Sequence, residues 1–165
     1  MSQITLLGLG PGDPACLTRQ AWEVLASASE IWLRTRQHPV VDGLPSTLEV
    51  HSFDNLYERG EDFEAVYAAI VEQVMALGSR PQGVIYAVPG HPFVAEATSP
   101  EILRRARAEG LPVRVVDGVS FLEPVFAAIA AFLVFREAPL PLQILGSATI
   151  LFGVVLASLG QARAS

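Results

Sequence analysis

Lysine is absent from this sequence of 165 residues, in which all 11 basic residues are arginines. Mechanisms that need a Schiff-base lysine, a lysine general base or the lysine of a phosphate-binding loop are therefore excluded. The single cysteine, Cys16, excludes a disulfide framework and a thiolate-rich metal site within one chain. The net charge of -6 argues against nucleic acid as a partner, because phosphate binding needs clustered positive charge.

Charged residues are also scarce, at 17% of the chain against about 25% in typical soluble domains. Their distribution is uneven, and no charged residue lies between Ala138 and Ala162. That interval is longer than the roughly 18 apolar residues at which a membrane span becomes a candidate. We therefore divide the chain into a domain over residues 1–121 and an apolar helical tail over residues 122–165.

Strand-like and helix-like segments alternate through the first part of the chain. Thr18 and Asp62 stand where helix N-caps are expected, and Gly78 and Gly110 stand where the helices of residues 63–77 and 100–109 should end. Apolar runs predict strands over Ile4–Leu9, Ile31–Leu33, Leu48–Phe53, Val84–Val88 and Val113–Val116. This order predicts an α/β fold with a mostly parallel, twisted sheet of about five strands and flanking helices.

Three of the predicted strands end in loops that contain glycine: residues 8–13, 89–95 and 117–120. Ligands of parallel sheets bind beyond the carboxyl ends of the strands, and glycine lets the backbone approach a ligand closely. The first loop is not the dinucleotide fingerprint, because its third glycine comes one position early. Taken singly, each loop is also typical of an ordinary turn.

Together with the alternation of elements, the three loops resemble the N-terminal domain of the tetrapyrrole (corrin/porphyrin) methylases over residues 3 to about 126. Within that family, the chain is most similar to the methylase-like domain of MazG-type nucleoside triphosphate pyrophosphohydrolases. Five segments carry this resemblance: GLGPGDPACLT from Gly8, LRTRQHPVV from Leu33, SFDNLY from Ser52, YAVPGHPFVAE from Tyr86 and GVSFL from Gly118.

The resemblance implies that loop backbone binds S-adenosylmethionine. The cofactor-binding positions that it implies are Leu9, Pro11, Gly90, His91, Val94, Ala95, Ser120 and Phe121. His91 stands where most active methylases have aspartate, so an acidic contact is missing from the second loop. The implied activity is a methyltransferase that is incomplete without the second domain of the family. The alternative is a catalytically silent ligand-sensing or dimerisation module attached to a pyrophosphohydrolase.

Other polar residues give no catalytic or metal assignment. No pair of histidines or carboxylates has the spacing of metal ligands, and no residue is identified as a general base. His38 either lines a substrate cleft or is an ordinary loop histidine, and His51, inside a predicted strand, is interpreted as structural. We expect a cytoplasmic homodimer that acts on a small-molecule methyl acceptor of unknown identity.

The tail from about Leu122 resembles the last two membrane helices of EamA-type drug/metabolite transporters. Residues 124–135 are too few to span a bilayer, whereas residues 140–160 are enough. This favours a membrane hairpin, with membrane association through residues 122–160. The alternatives are an apolar element that covers the sheet or a dimer partner, and a fused or frameshifted reading frame.

Overall fold

A parallel sheet of five strands forms the centre of the protein in the computed structural model, which describes residues 2–58 and 62–118 and the isolated positions 145, 146, 148, 149 and 152. The strands are β1 (Ile4–Gly8), β2 (Glu30–Leu33), β3 (Glu49–Ser52), β4 (Val84–Val88) and β5 (Val113–Val116). Their order across the sheet is β3-β2-β4-β1-β5, and every neighbouring pair is parallel. The predicted α/β class and five-stranded parallel sheet are confirmed.

Helices connect the strands, and most of the predicted boundaries are confirmed. The helices are α1 (Arg19–Ser27), α2 (Asp54–Tyr57), α3 (Phe63–Gly78) and α4 (Thr98–Ala108). The Thr18 hydroxyl caps α1 and the Asp62 carboxylate caps α3, each by accepting a backbone N–H three residues later. Helix α4 begins before the predicted Pro100, because the Glu96 carboxylate accepts the Ser99 N–H at 2.8 Å.

Two hydrophobic clusters cover the two faces of the sheet. Leu6 of β1 belongs to the cluster that includes residues of α3 and α4, whereas the next residue, Leu7, belongs to the cluster that includes residues of α1. This follows from the alternation of side chains along a strand. All five residues of β1 are buried, as expected for a central parallel strand. With both faces covered, the ends of the strands are the part of the sheet that a ligand can reach.

The chain divides into two compact units, Met1–Val119 and Ser120–Ser165. The tail predicted over residues 122–165 lies outside the described residues, apart from the five isolated positions. Within the part of the chain that the structure describes, no helix is long and apolar enough to cross a membrane.

Candidate functional site

The loops that follow β1 and β4 are joined backbone to backbone at the carboxyl edge of the sheet. The Gly10 N–H donates to the Gly90 carbonyl at 3.0 Å, and the Gly90 N–H donates to the Gly10 carbonyl at 2.8 Å. One residue earlier, the Leu9 N–H donates to the Val88 carbonyl at 2.9 Å. The Gly10–Gly90 pair is an isolated antiparallel bridge beyond the parallel strands β1 and β4, and it fixes the two loops against each other.

The loop after β5 packs against the same two loops through glycine. A Cβ on Gly118 would lie 1.9 Å from the Gly90 carbonyl oxygen, and a Cβ on Gly8 would lie 2.3 Å from the Gly118 nitrogen. Real Cβ atoms do not approach other atoms so closely, so only glycine fits at residues 8 and 118. We call Gly8, Gly10, Gly90 and Gly118 the glycine cluster. The three loops selected from the sequence therefore converge.

Gly90 differs from Gly8 and Gly118 because its missing side chain would meet no described atom. Its φ is +69°, and no described atom lies within 4 Å of the position that a Cβ would take. Ala95, later in the same loop, has a φ of +54°, which is uncommon for a residue other than glycine. Backbone strain of this kind concentrates at functional sites. The second loop thus presents an open stretch of backbone at the edge of the sheet.

His91 links the second loop to the third. Its Nδ1 accepts the Phe93 N–H at 3.1 Å, and its Nε2 lies 3.2 Å from Oδ1 of Asp117. Since Nδ1 is an acceptor, the Nε2 proton is the one that faces the carboxylate. The Thr18 hydroxyl donates to the Asp117 carbonyl at 3.2 Å and ties the start of α1 to the same loop. The acidic group absent at position 91 is therefore present on the neighbouring loop, at Asp117.

His38 contacts the first loop at Gly10. Burial lowers the pKa of His38 below the ordinary 6.5, and a hydrogen bond from its ring to the Gly10 backbone carbonyl opposes that shift only in part. Its Nδ1 is buried with no hydrogen-bond partner among the described residues. The next residue, Pro39, packs against Gly12, whose φ is +128°. The loop after β2 thus borders the glycine cluster, although His38 does not identify a substrate cleft.

Arg34 and Glu96 form a buried ion pair that the sequence analysis did not single out. Arg34 Nη1 donates to Oε1 of Glu96 at 2.9 Å, and the Glu96 side chain is only 2% exposed. Glu96 also accepts the Thr98 hydroxyl at 3.0 Å and the Ser99 N–H at 2.8 Å. The pair joins the loop after β2 to the loop after β4. Both residues lie in segments that carried the resemblance, but no spacing along the chain pairs them.

The sequence-predicted site residues divide into three groups. Leu9, Gly90 and His91 lie in or directly beside the glycine cluster. Pro11, Val94 and Ala95 lie on the same two loops, with Val94 half-buried and the other two exposed. Ser120 and Phe121 lie outside the described residues. Cofactor contact at all of these positions stays a prediction.

The solved structures that resemble the chain include a methyltransferase and a synthase. The uroporphyrin-III C-methyltransferase of Thermus thermophilus, complexed with S-adenosyl homocysteine, is 25% identical with a TM-score of 0.50, covering 75% of this chain and 51% of that one. Diphthine synthase shares the fold at 19% identity and a TM-score of 0.54, covering 77% of this chain and 48% of that one. The chain spans about half the length of these solved structures.

Sequence comparison identifies the family. The uncharacterised protein YabN of Bacillus subtilis (strain 168) is 40% identical over 125 residues, which are 75% of this chain and 25% of YabN. The sequence profile described as Tetrapyrrole (Corrin/Porphyrin) Methylases matches residues 3–142, which extends past our division at residue 121. With most of its length matched in this way, the chain belongs to the tetrapyrrole (corrin/porphyrin) methylase family.

Proposed function

We propose that this chain binds S-adenosylmethionine at the glycine cluster and forms the cofactor-binding part of a methyltransferase. The observation that carries the proposal is the open space beside Gly90, next to loops that are otherwise closed onto one another. Ligands of parallel sheets bind at this edge. The related Thermus methyltransferase was solved with S-adenosyl homocysteine, which supports the choice of cofactor.

The residues at this edge fit a ligand held by backbone contacts. At Gly90 the second loop has no described atom within 4 Å of the Cβ position, so a flat group can approach the main chain without meeting a Cβ there. Leu9, Pro11 and Val94 supply the adjoining surface. Ser120 and Phe121 are proposed as further contacts by resemblance alone.

The charge of the site also suits this cofactor. When bound, S-adenosylmethionine supplies an electrophilic methyl group on a positively charged sulfonium. The Asp117 carboxylate, whose side chain is 72% exposed and is held by His91, places a negative charge at the rim of the cluster. A fixed carboxylate favours a cationic ligand over an anionic one. The role of the chain in the reaction is to hold and orient the methyl donor, a contribution that comes from proximity.

The remainder of the enzyme is part of the proposal as well. The family's second domain would complete the crevice and contribute to the acceptor site, since the chain spans about half the length of the solved structures that it matches. The finer assignment, to the methylase-like domain of MazG-type pyrophosphohydrolases, is supported by the five sequence segments that carry that resemblance. The chain's match to only 25% of YabN is compatible with a larger parent protein.

Calorimetric titration of the full chain with S-adenosyl homocysteine tests the proposal, with two glycine variants. Gly90 and Gly110 have nearly the same φ, +69° and +70°, and neither has a described atom within 4 Å of its Cβ position, but only Gly90 lies at the site. Leucine at either position carries a similar backbone cost of about 1–2 kcal/mol. We expect Gly90→Leu to weaken binding at least tenfold and Gly110→Leu to leave it unchanged.

Two results would contradict the proposal. One is the absence of binding heat at millimolar S-adenosyl homocysteine for a chain that circular dichroism shows to be folded. The other is an equal loss of affinity in the two leucine variants, which would make the effect one of stability rather than of contact.

A further inference from the structure

A cavity of about 410 Å³ lies beside the glycine cluster and is formed by the loop after β2, by α2 and by the start of α3. Arg34 lies in its wall, together with two carboxylates, Asp54 and Glu58. Three aromatic residues also line the cavity: Tyr57, Phe63 and Tyr67. The volume falls in the range of small-molecule sites. None of these residues belongs to the proposed cofactor site.

The wall that the cavity shares with the glycine cluster is the loop after β2. His38, in this loop, bonds the Gly10 carbonyl, whereas Arg34 and Thr35, a few residues earlier, line the cavity. The two regions are therefore adjacent but separate. A ligand in the cavity would contact side chains, in contrast to the backbone surface at Gly90.

Among the described residues that line the cavity, the negative groups exceed the positive ones by one. The Arg34 charge is balanced by Glu96 at 2.9 Å, and the Arg36 charge, close to Asp54, is balanced by that carboxylate. Glu58 is exposed and has no ion-pair partner among the described residues. An anionic ligand would therefore meet net repulsion here, whereas a monocation would be attracted.

Asp54 is held in its charged form. Burial alone would raise its pKa, but hydrogen bonds from the Thr35 and Ser52 hydroxyls and the Arg36 N–H lower the pKa below the ordinary value. The bond from the Arg36 N–H measures 2.8 Å. Asp54 thus serves as a fixed acceptor in the wall of the cavity at neutral pH.

The aromatic rings add a second attraction for a flat cation. Phe63 and Tyr67 lie one turn apart on α3, with ring centroids 6.1 Å apart, and the Phe63 side chain is 68% exposed. Burial raises the pKa of Tyr57, so its hydroxyl remains a hydrogen-bond donor. Aromatic faces attract cations, and they stack on planar rings.

We propose that this cavity binds a small, flat aromatic compound that carries a positive charge, such as a protonated amine or an amidinium on a ring. Glu58 would provide the electrostatic selectivity, Asp54 would provide a fixed hydrogen-bond acceptor, and the rings of Tyr57, Phe63 and Tyr67 would provide the stacking surface. This assignment does not depend on S-adenosylmethionine binding at the glycine cluster.

Three isosteric probes test the assignment on the full chain: benzamidine, which is a cation, benzamide, which is neutral, and benzoate, which is an anion. We expect benzamidine to bind at least fivefold more tightly than benzamide, and benzoate to bind more weakly than both. Equal affinities, or a preference for benzoate, would overturn the proposal. Affinities follow from calorimetry or from chemical-shift titration of the protein.

Matched glutamate variants locate the binding. Glu58 and Glu64 are both exposed and flank the start of α3, but only Glu58 lines the cavity. Glu58→Gln should weaken benzamidine about two- to fivefold, in line with the coupling of exposed charges, and Glu64→Gln should have no effect. Equal effects of the two variants would refute the location.

Competition with S-adenosyl homocysteine separates this proposal from the proposed function. Simultaneous binding of benzamidine and S-adenosyl homocysteine supports two distinct sites, whereas displacement of one by the other overturns a separate cavity site. Benzamidine binding to a chain that fails to bind S-adenosyl homocysteine would uphold the cavity and contradict the proposed function alone.

Discussion

Removing one partner of the ion pair between Arg34 and Glu96 should destabilise the protein more than removing one partner of an exposed pair such as Arg19 and Glu23. Removing one partner of a buried pair typically costs about 3–5 kcal/mol, because the remaining charge stays buried without its partner. The Glu96 side chain is 2% exposed and the Arg34 side chain 23%, so we expect the lower end of that range. For Arg34→Met we expect the free energy of unfolding to fall by about 2–3 kcal/mol. The loss is moderate because Thr98 and Ser99 still donate hydrogen bonds to the Glu96 carboxylate.

A double-mutant cycle by urea unfolding measures the coupling. Glu96→Ala should destabilise the chain by about 3 kcal/mol, and the double variant should be more stable than the sum of the two losses implies, by about 1.5–3 kcal/mol. The exposed pair of Arg19 and Glu23, whose side chains are 93% and 61% exposed, serves as the control and should show coupling below about 0.5 kcal/mol. Additivity of the Arg34 and Glu96 effects within about 0.5 kcal/mol would refute the reasoning.

Two further predictions concern the histidines of the site. His91→Asp should weaken S-adenosyl homocysteine binding severalfold, because it sets two carboxylates, at 91 and 117, against each other. His91→Gln, which keeps a donor, should bind more tightly in calorimetry than His91→Asp, and the reverse order would contradict this. The pKa of His38 in the folded protein lies below its ordinary value of 6.5. The neutral ring therefore makes its full contribution to the free energy of unfolding above pH 6.5. This contribution is lost as the pH falls from 6.5 through the lowered pKa. The free energy of unfolding, measured with urea between pH 5 and 8, should therefore depend more steeply on pH in the wild type than in His38→Gln. Parallel pH profiles of the two proteins would be evidence against the effect.

The strands and caps could be predicted because their causes are local. β4 and β5 have the bounds that the apolar runs predict, and Thr18 and Asp62 cap the helices that follow them. Helix α2 escaped prediction because four residues are too few to show a helical period. The sequence could indicate which segments form helices and strands. It could not show that α4 begins at Thr98, because that start depends on the contact between the Glu96 carboxylate and the Ser99 N–H.

The candidate site could be predicted only in part. The three glycine loops could be identified as candidate ligand-binding loops because each follows a predicted strand. The carboxyl ends of parallel strands lie at one edge of the sheet. The pairing of His91 with Asp117, and of Arg34 with Glu96, depends on the strand order, which places β4 between β1 and β2. The strand order is a property of the folded sheet. The sequence therefore shows the charged residues, but it does not show which of them form pairs.

The position of β1 in the sheet has a consequence for how the protein is made. Of the five described strands, β1 is synthesised before the other four and lies between β4 and β5, and Ile4 pairs with both Val84 and Val113. At about 5–20 residues per second, β1 emerges on the order of 5–20 s before its last partner has been synthesised. Until β4 has been synthesised, β2 and β3 are the only described strands that can form a neighbouring pair, and β1, an apolar strand with two unpaired edges, is exposed to aggregation. The glycine cluster is therefore complete only after Gly118 has been synthesised, and a nascent chain that ends before this residue lacks part of the proposed site.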